Sequence, residues 1–450
     1  MAFVNLPTTI QNLLQVGILE REMEEGMDSV LAFRNVALVE TIPNRVGETL
    51  TRTRAGRAAP VTTPMDPATN TGLDNGLTPV NDLANEQYTF TMSQYGYATD
   101  VNLMADQATI ASVFIQKARN NAVQAAQSLE RIMRAKLFSA YLSGNTRVLA
   151  SPGSTTTTAH VDDVRGFQTV IVNGQVVVTS VSHPSSVTEY GPTGAAVQTL
   201  VVTSVAVDGS NVSTTPGGVS GTLTFSTATA PTAANALIAS DGPAIFRAGG
   251  RLTSNKLTST DVFSLSLVLD AEAYMRDNGV PLMADGTYHC ILDNTSMRHL
   301  YADPQFMALF AGREQSMEYR EGQVIQLCGV TFVPTTETYV TGITNDAAET
   351  VRIRRPILVG AENSIQGNFQ GMETFLGELG MDTSDTSVVM VDGVLQIVRE
   401  PLDRLQNQVS LAWTWIGDFA VPTDITATTT TIPTASSARY KRCAVLEHIG

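Results

Sequence analysis

The stretch 286–299, "GTYHCILDNTSMRH", gathers two of the five histidines and one of the three cysteines of a 450-residue chain. Residue types of that kind, at that density, suggest a metal site or a thiol nucleophile paired with an imidazole. The spacing argues against both. "TYHCILD" reads as a short buried strand, and strand alternation sends His289 and Cys290 to opposite faces. His299 follows nine residues after Cys290, beyond a helical turn, which is not the close His/Cys spacing of zinc sites. A reactive cysteine needs an electropositive, partly exposed setting. Cys290 is instead flanked by Tyr288, Ile291 and Leu292. The expectation is a packed core strand running into a helix.

Other chemistry-bearing patterns are equally thin. The chain has no GxSxG, HExxH, Walker loop or GxGxxG. Asp66, Asp74 and Asn75 do not follow the order of an EF-hand loop. Asp162 and Asp163 read as a solvated turn. No catalytic, metal or cofactor-binding residue is expected, and no cofactor. Net charge is −15, a surface that repels polyanions. The dense basic clusters are Arg52, Arg54 and Arg57; Arg352, Arg354 and Arg355; and Arg439, Lys441 and Arg442. None is interleaved with the aromatics that a single-strand binder uses for stacking. Cys290, Cys328 and Cys443 lie far apart without CxxC spacing, which fits free thiols in a reducing compartment. No apolar run reaches the roughly 18 residues of a membrane span, and no basic, apolar leader opens the chain.

The elements that would position these residues change character along the chain. Residues 13–40 read as one or two short helices, with Glu20, Glu22, Glu24 and Glu25 among apolar residues at helical spacing. In "ETLTRTRAGR", Thr49, Thr51 and Thr53 alternate with Leu50, Arg52 and Arg54, the period of a strand. "EQYTFTMSQYGY" reads as a second strand, and the polar run between them makes an extended hairpin. Residues 105–143 hold no Pro or Gly and keep helical spacing through Phe114, Ala118, Ala122, Leu129 and Met133. From 147 to 250 the chain turns into Thr/Ser/Val/Gly segments, including the hairpin signal "IVNGQVVV". This is an inserted all-β module, expected to be self-contained. Mixed helix and strand follow, with a helix capped by Ser259 or Thr260 and ended by Asn278 and Gly279.

The order of these elements, rather than any one motif, resembles the major capsid protein of tailed double-stranded DNA bacteriophages. The stretches that carry the likeness are "GTYHCILDNTSMRHLYADPQF", "VRIRRPILVGAENSIQG", "VSLAWTWIGDFAV" and "RYKRCAVLEH". The resemblance implies an α+β chain with the HK97-like capsid fold: N-arm, E-loop hairpin, long spine helix, P-domain and A-domain, here with an inserted all-β module. The implied domains are an N-terminal arm at 1–46, E-loop hairpin and P-domain strands at 47–100, and the spine helix at 101–146. The inserted β domain takes 147–250, the A-domain 251–400 and C-terminal return strands 401–450. The insertion directly after the long helix departs from the family, where such a domain is expected inside the A-domain.

The same resemblance implies a structural protein, not an enzyme. It would assemble with itself into pentamers and hexamers that close into an icosahedral head around the genome, in the virion, after assembly in the host cytoplasm. A separate scaffolding protein, or none, is implied, with a portal and a cement protein as candidate further partners. DNA would be enclosed without sequence-specific binding, and no membrane is involved. Arg52, Arg54 and Arg57 are expected at subunit interfaces, opposite Glu20, Glu22, Glu24 and Glu25 of a neighbour. Arm-like sequence within the first twenty residues leaves no room for a cleaved scaffolding extension. Covalent cross-linking of the hairpin is not expected either. The first lysine is Lys117, within the long helix, and an arginine stays protonated and cannot act as the nucleophile. Two other classes compete: a β-rich tail or surface protein that binds host receptors, and a hydrolase with an unrecognised site.

Overall fold

The computed structural model describes residues 21–25, 32–43, 49–55, 64, 85–102, 113–150, 156–172, 175–229, 231–310, 326–369, 386–399, 407–423 and 439–450. A helical turn at 21–25 and a 3-10 turn at Arg34–Val36 precede strands β1 (Leu38–Ile42), β2 (Thr49–Ala55), β3 (Asn85–Thr91) and β4 (Ser93–Asn102). Helix α1 (Val113–Tyr141) follows. Then come β5 (Asn145–Ala150), β6 (Thr156–Val161), β7 (Thr169–Val172), β8 (Gln175–Val178), β9 (Ser185–Tyr190), β10 (Ala196–Val212), β11 (Val219–Thr229) and β12 (Ala236–Ala239). β13 (Ile245–Arg247) leads to α2 (Leu265–Asp277), β14 (Tyr288–Leu292), α3 (Asn294–Ala302) and α4 (Pro304–Phe310). The remainder is strand: β15 (Gln326–Leu327), β16 (Val330–Pro334), β17 (Tyr339–Thr344), β18 (Thr350–Arg355), β19 (Ile357–Val359), β20 (Ile365–Phe369), β21 (Thr386–Val391), β22 (Val394–Arg399), β23 (Gln408–Ala420) and β24 (Cys443–Ile449). The class is α+β with strand predominant.

The chain divides into two compact units. The first comprises residues 1–51, 89–136 and 364–420. Its sheet runs β1-β20-β23-β22-β21, with β4 also paired to β23. β23 alternates over 408–416, burying Val409, Leu411, Trp413 and Trp415 between more exposed neighbours. That period-2 pattern is what a sheet with one covered face requires. The cover is α1, rich in Ala, Gln, Arg and Leu and without a helix breaker. Phe114 and Ala118 pack against Val101, Val398, Val409 and Leu411. At 1.5 Å per residue the 29-residue helix is about 44 Å long.

The second unit comprises residues 52–88, 137–363 and 421–450. β10-β11-β6-β5-β12-β9 close into a barrel, which removes the exposed edges of the sheet. Val148, Val161, Phe167, Leu200, Val202, Leu223 and Phe225 fill it. The close turn at its entrance explains two glycines. Gly144 has φ +76°, and a Cβ on Gly166 would lie 2.3 Å from the Gly144 nitrogen. A mixed sheet runs β15-β16-β14-β19-β24-β18-β17, with β13 also on β24. Every residue of β24 is buried. Leu267, Val268, Ala271 and Met275 of α2 and Leu300 of α3 join its core. β2 and β3 form a two-stranded sheet of their own.

Several expectations need correction. "VALVE" is not helical: 38–42 is β1, drawn into the sheet by parallel pairing with β20. "EQYTFTMSQYGY" is two strands, because β3 pairs with β2 whereas β4 pairs with β23 along its whole length. The cap of α2 is Ser264, whose hydroxyl accepts the Leu267 N–H, not Ser259 or Thr260. The turn 259–262 is taken up by Asp261, which accepts from Thr258 and Arg251. Asp162 and Asp163 are not a solvated turn but are 5% and 1% exposed. Asp163 pairs with Arg165 at 2.7 Å, and Asp162 takes the Thr214 hydroxyl and N–H, so the two acids tie loops together at the barrel mouth. The long helix spans 113–141, and 103–112 lie outside the described residues.

Candidate functional site

The stretch 286–299 folds as its pattern predicts. β14 pairs with β16 and β19, which places Cys290 wholly inside the core while His289 stays half-buried on the other face. Burial pushes the Cys290 thiol well above its ordinary range, so no thiolate forms near neutral pH. His289 Nε2 lies 2.8 Å from Asp285 Oδ2. Burial works against ionisation of Asp285, but its bonds to His289 and Thr287 outweigh that and hold it at about 2. Among the described residues no group of three or more His, Cys, Asp or Glu side chains could hold a metal ion. The thiols should report this arrangement directly. In the native protein a thiol reagent is expected to modify exposed Cys328 and spare buried Cys290 and Cys443, with all three reacting in denaturant. Rapid native modification of Cys290 would show that β14 opens.

Sequence reasoning missed His448. Antiparallel pairing of β18 with β24 sets it opposite Arg354, and the fold brings it to α3. Its Nε2 is 2.7 Å from the Ser296 hydroxyl, which also contacts the Asp293 carboxylate, and its Nδ1 is 3.0 Å from the Ile449 carbonyl. Serine, histidine and aspartate therefore meet, but not as a nucleophilic triad. A triad needs the carboxylate on one imidazole nitrogen and the serine on the other. Here the serine stands between aspartate and imidazole, and the second nitrogen faces a backbone carbonyl. Ser296 and His448 are both 0% exposed, so no substrate reaches them. The assembly caps α3 and holds β24 in place.

This site is expected to make the protein acid-sensitive. Burial, helped by His299 and Arg354 and opposed by the Ile449 carbonyl and Asp293, lowers His448 from 6.5 to about 4. Phe263 and His299 close the rest of its surroundings. The unfolded chain therefore takes up a proton below 6.5 while the folded one does not until about 4. The contribution of this site to stability is expected to be complete above 6.5 and to fall between 6.5 and 4 by about 3 kcal/mol. Urea midpoints across that range should show the loss. A His448→Phe variant should be flatter there, and an unchanged slope would assign the effect elsewhere.

The basic clusters are mostly structural. Arg355 is 0% exposed and bonds Glu447, and Arg354 bonds Asp293. Buried Arg439 donates to the Gly166 and Thr169 carbonyls and pairs with Asp241 at 2.8 Å. On β2 the alternation is as expected, with Thr49, Thr51 and Thr53 exposed and Arg52 and Arg54 half-buried. Arg54 bonds Glu362 of its own chain, which Arg442 also reaches at 3.1 Å. On the arm, Glu24 and Glu25 are exposed, Glu22 is half-buried, and Arg21 pairs with Glu25 at 2.9 Å. Arg57 and Glu20 lie outside the described residues. Exposed positive residues that cluster reasoning passed over include Arg119 and Arg131 of α1. They sit twelve apart, so only helical spacing groups them.

No family model and no curated protein matches the chain. Solved structures do match it, and they are phage capsids. The capsid of Ralstonia phage GP4 aligns with a TM-score of 0.47 and 11% identity over 92% of this chain and 87% of that one. The capsid structure of cyanophage P-SCSP1u gives 0.45 and 11% over 93% and 88%. The capsid asymmetric unit of cyanophage Pam1 gives 0.45 and 12% over 92% and 89%.

Proposed function

We propose that this chain is the major capsid protein of a tailed double-stranded DNA bacteriophage, with the HK97-like fold. The observation that carries the reading is the order of elements around α1. A hairpin whose two strands pair with each other, β2 and β3, precedes a 29-residue helix laid on a mainly antiparallel sheet, and a separate mixed α/β sheet follows. In this reading the hairpin is the E-loop, α1 the spine helix and its sheet the P-domain. The β14–β19 sheet with its helices is the A-domain, and the barrel is the insertion. A two-stranded ribbon is marginal by itself and gains stability from a neighbouring surface, which a shell supplies at every repeat.

The protein acts by assembly and catalyses no reaction. Pentamers and hexamers close into an icosahedral head around the genome, with a scaffolding protein, a portal and a cement protein as further partners in the host cytoplasm. Arg52, Arg54 and Arg57 meet Glu20, Glu22, Glu24 and Glu25 of a neighbour, Arg54 by exchanging its bond to Glu362. Electron microscopy of the expressed full-length chain tests the reading. Shells or polyheads support it, and discrete monomers overturn it in favour of a receptor-binding or hydrolytic protein. The shell is held non-covalently in this account. Mature particles boiled in SDS should run as one band near 48.0 kDa, and a ladder of covalent oligomers would refute that.

A further inference from the structure

The net charge of −15 conceals a basic stretch on α1. α1 carries five basic residues, Lys117, Arg119, Arg131, Arg134 and Lys136, against a single acid, Glu130. Lys117 and Lys136 are engaged locally, with the Asp100 carbonyl and with Asp418. The arginines are arranged differently. At 100° per residue, Arg119, Arg131 and Arg134 fall within an arc of about 120° and span about 22 Å of helix. Arg119 and Arg131 are exposed and Arg134 half-buried. Among the described residues Arg119 has no ion-pair partner. Arg131 and Arg134 have contacts of their own, and Arg131 remains exposed with them in place. Glu130 lies on the same arc, yet it is 0% exposed and its carboxylate is occupied by the backbone N–H groups of Ala32, Phe33 and Arg34.

We infer that this arginine arc of α1 contacts the phosphate backbone of duplex DNA. The inference rests on the capsid reading and adds a point of contact with the enclosed genome. Three features favour a duplex over other anionic partners. Between the arginines the arc carries exposed Gln116 and Asn120 and half-buried Gln127, neutral donors of the kind that bond phosphate oxygens. None of the exposed large hydrophobic side chains lies on α1, so a protein partner finds no apolar anchor. The exposed residues of the arc include no aromatic, so single strands find nothing to stack on. Arginine forks on phosphate read no base sequence. Contact is therefore short-range and sequence-independent, within a protein whose overall charge repels DNA at a distance.

The test uses full-length subunits and two fluorescent 30-base-pair duplexes of unrelated sequence, titrated from 50 to 200 mM KCl. Three phosphate contacts give a log–log salt slope of about −2.7, an affinity loss of about 40-fold over that range. Both duplexes should bind equally. In the Arg119→Gln/Arg131→Gln variant the slope should fall to about −1, with an unchanged unfolding curve. No binding at 50 mM KCl, unequal binding of the two duplexes, or an unaltered slope in the variant would each overturn the inference. So would loss of salt-dependent self-association in the variant with duplex binding intact, because the occupant would then be an acidic segment of a second copy. Electron microscopy of the same samples separates the two readings. Shells from the variant with weakened duplex binding support both, whereas absence of shells from the wild type sinks the capsid reading alone.

Discussion

Replacing Glu447 by glutamine is expected to destabilise the subunit by about 3–5 kcal/mol, the cost of breaking a buried ion pair from one side. Glu447 is 1% exposed, at the centre of the mixed sheet, between two buried arginines. Arg247 Nε reaches one carboxylate oxygen at 2.5 Å and Arg355 Nε the other at 2.7 Å. The Ser254 hydroxyl adds a bond at 2.7 Å. Register produces this cluster: β13 runs parallel to β24 and sets Arg247 level with Glu447, while β18 supplies Arg355 from the other side. Glutamine keeps the shape and removes the charge, leaving two guanidinium ions in the core without a counter-ion. Burial opposes ionisation of Glu447, but Arg247, Arg355 and Ser254 outweigh it and hold the acid at about 2. Its pKa is thus depressed on folding from 4.5, so its contribution is complete above 4.5 and is lost as pH falls from there to about 2. Urea unfolding at pH 7 should show a lower midpoint with the same slope. The gap between wild type and variant should close on acidification below 4.5. A difference under about 1 kcal/mol at neutral pH would mean that water reaches the cluster. Replacing all three ions with apolar residues of similar volume should recover most of the loss, since such clusters are seldom better than a packed core.

Glu130→Gln should be the second large effect, with a different signature. Glu130 projects from α1 and accepts the backbone N–H groups of Ala32 at 2.7 Å, Phe33 at 2.6 Å and Arg34 at 3.0 Å. One carboxylate thereby fixes the turn that leads into β1. Bonds from neutral donors to a buried charge contribute about 1.5–3 kcal/mol each before non-additivity. Glutamine offers one carbonyl oxygen, and its NH2 group meets an N–H it cannot accept from. A loss of about 3 kcal/mol is expected. It should appear first as faster hydrogen exchange at residues 32–36, because Phe33 and Val36 lose their anchor before the sheet does. Arg34 is buried there too, with its Nε on Gln366 Oε1 at 2.9 Å, and burial lowers its pKa. Unchanged exchange at 32–36 in the variant would show that packing, not Glu130, holds the turn.

The sequence by itself determined the local elements wherever one periodicity acted alone. The unbroken helical spacing behind α1, the alternation of Thr49, Thr51 and Thr53 with Arg52 and Arg54, and the buried run at Cys290 were all legible. Each depends only on which face of a single element is apolar. It also established the abrupt change of composition after α1 that marks the barrel. The tertiary structure alone decided which strands share a sheet. "VALVE" keeps a helical look until parallel pairing with β20 makes it a strand, and the run 86–97 reads as one strand until its halves find different partners. The ionic and polar centres belong to the same category. Glu447 meets Arg247 from two hundred residues away, Glu130 meets 32–34 from almost a hundred, and His448 reaches Ser296 across the sheet. No local pattern encodes such meetings. Burying a charge is favourable only when a partner arrives with it, and strand register, fixed by the packing of whole sheets, determines which residue that partner is.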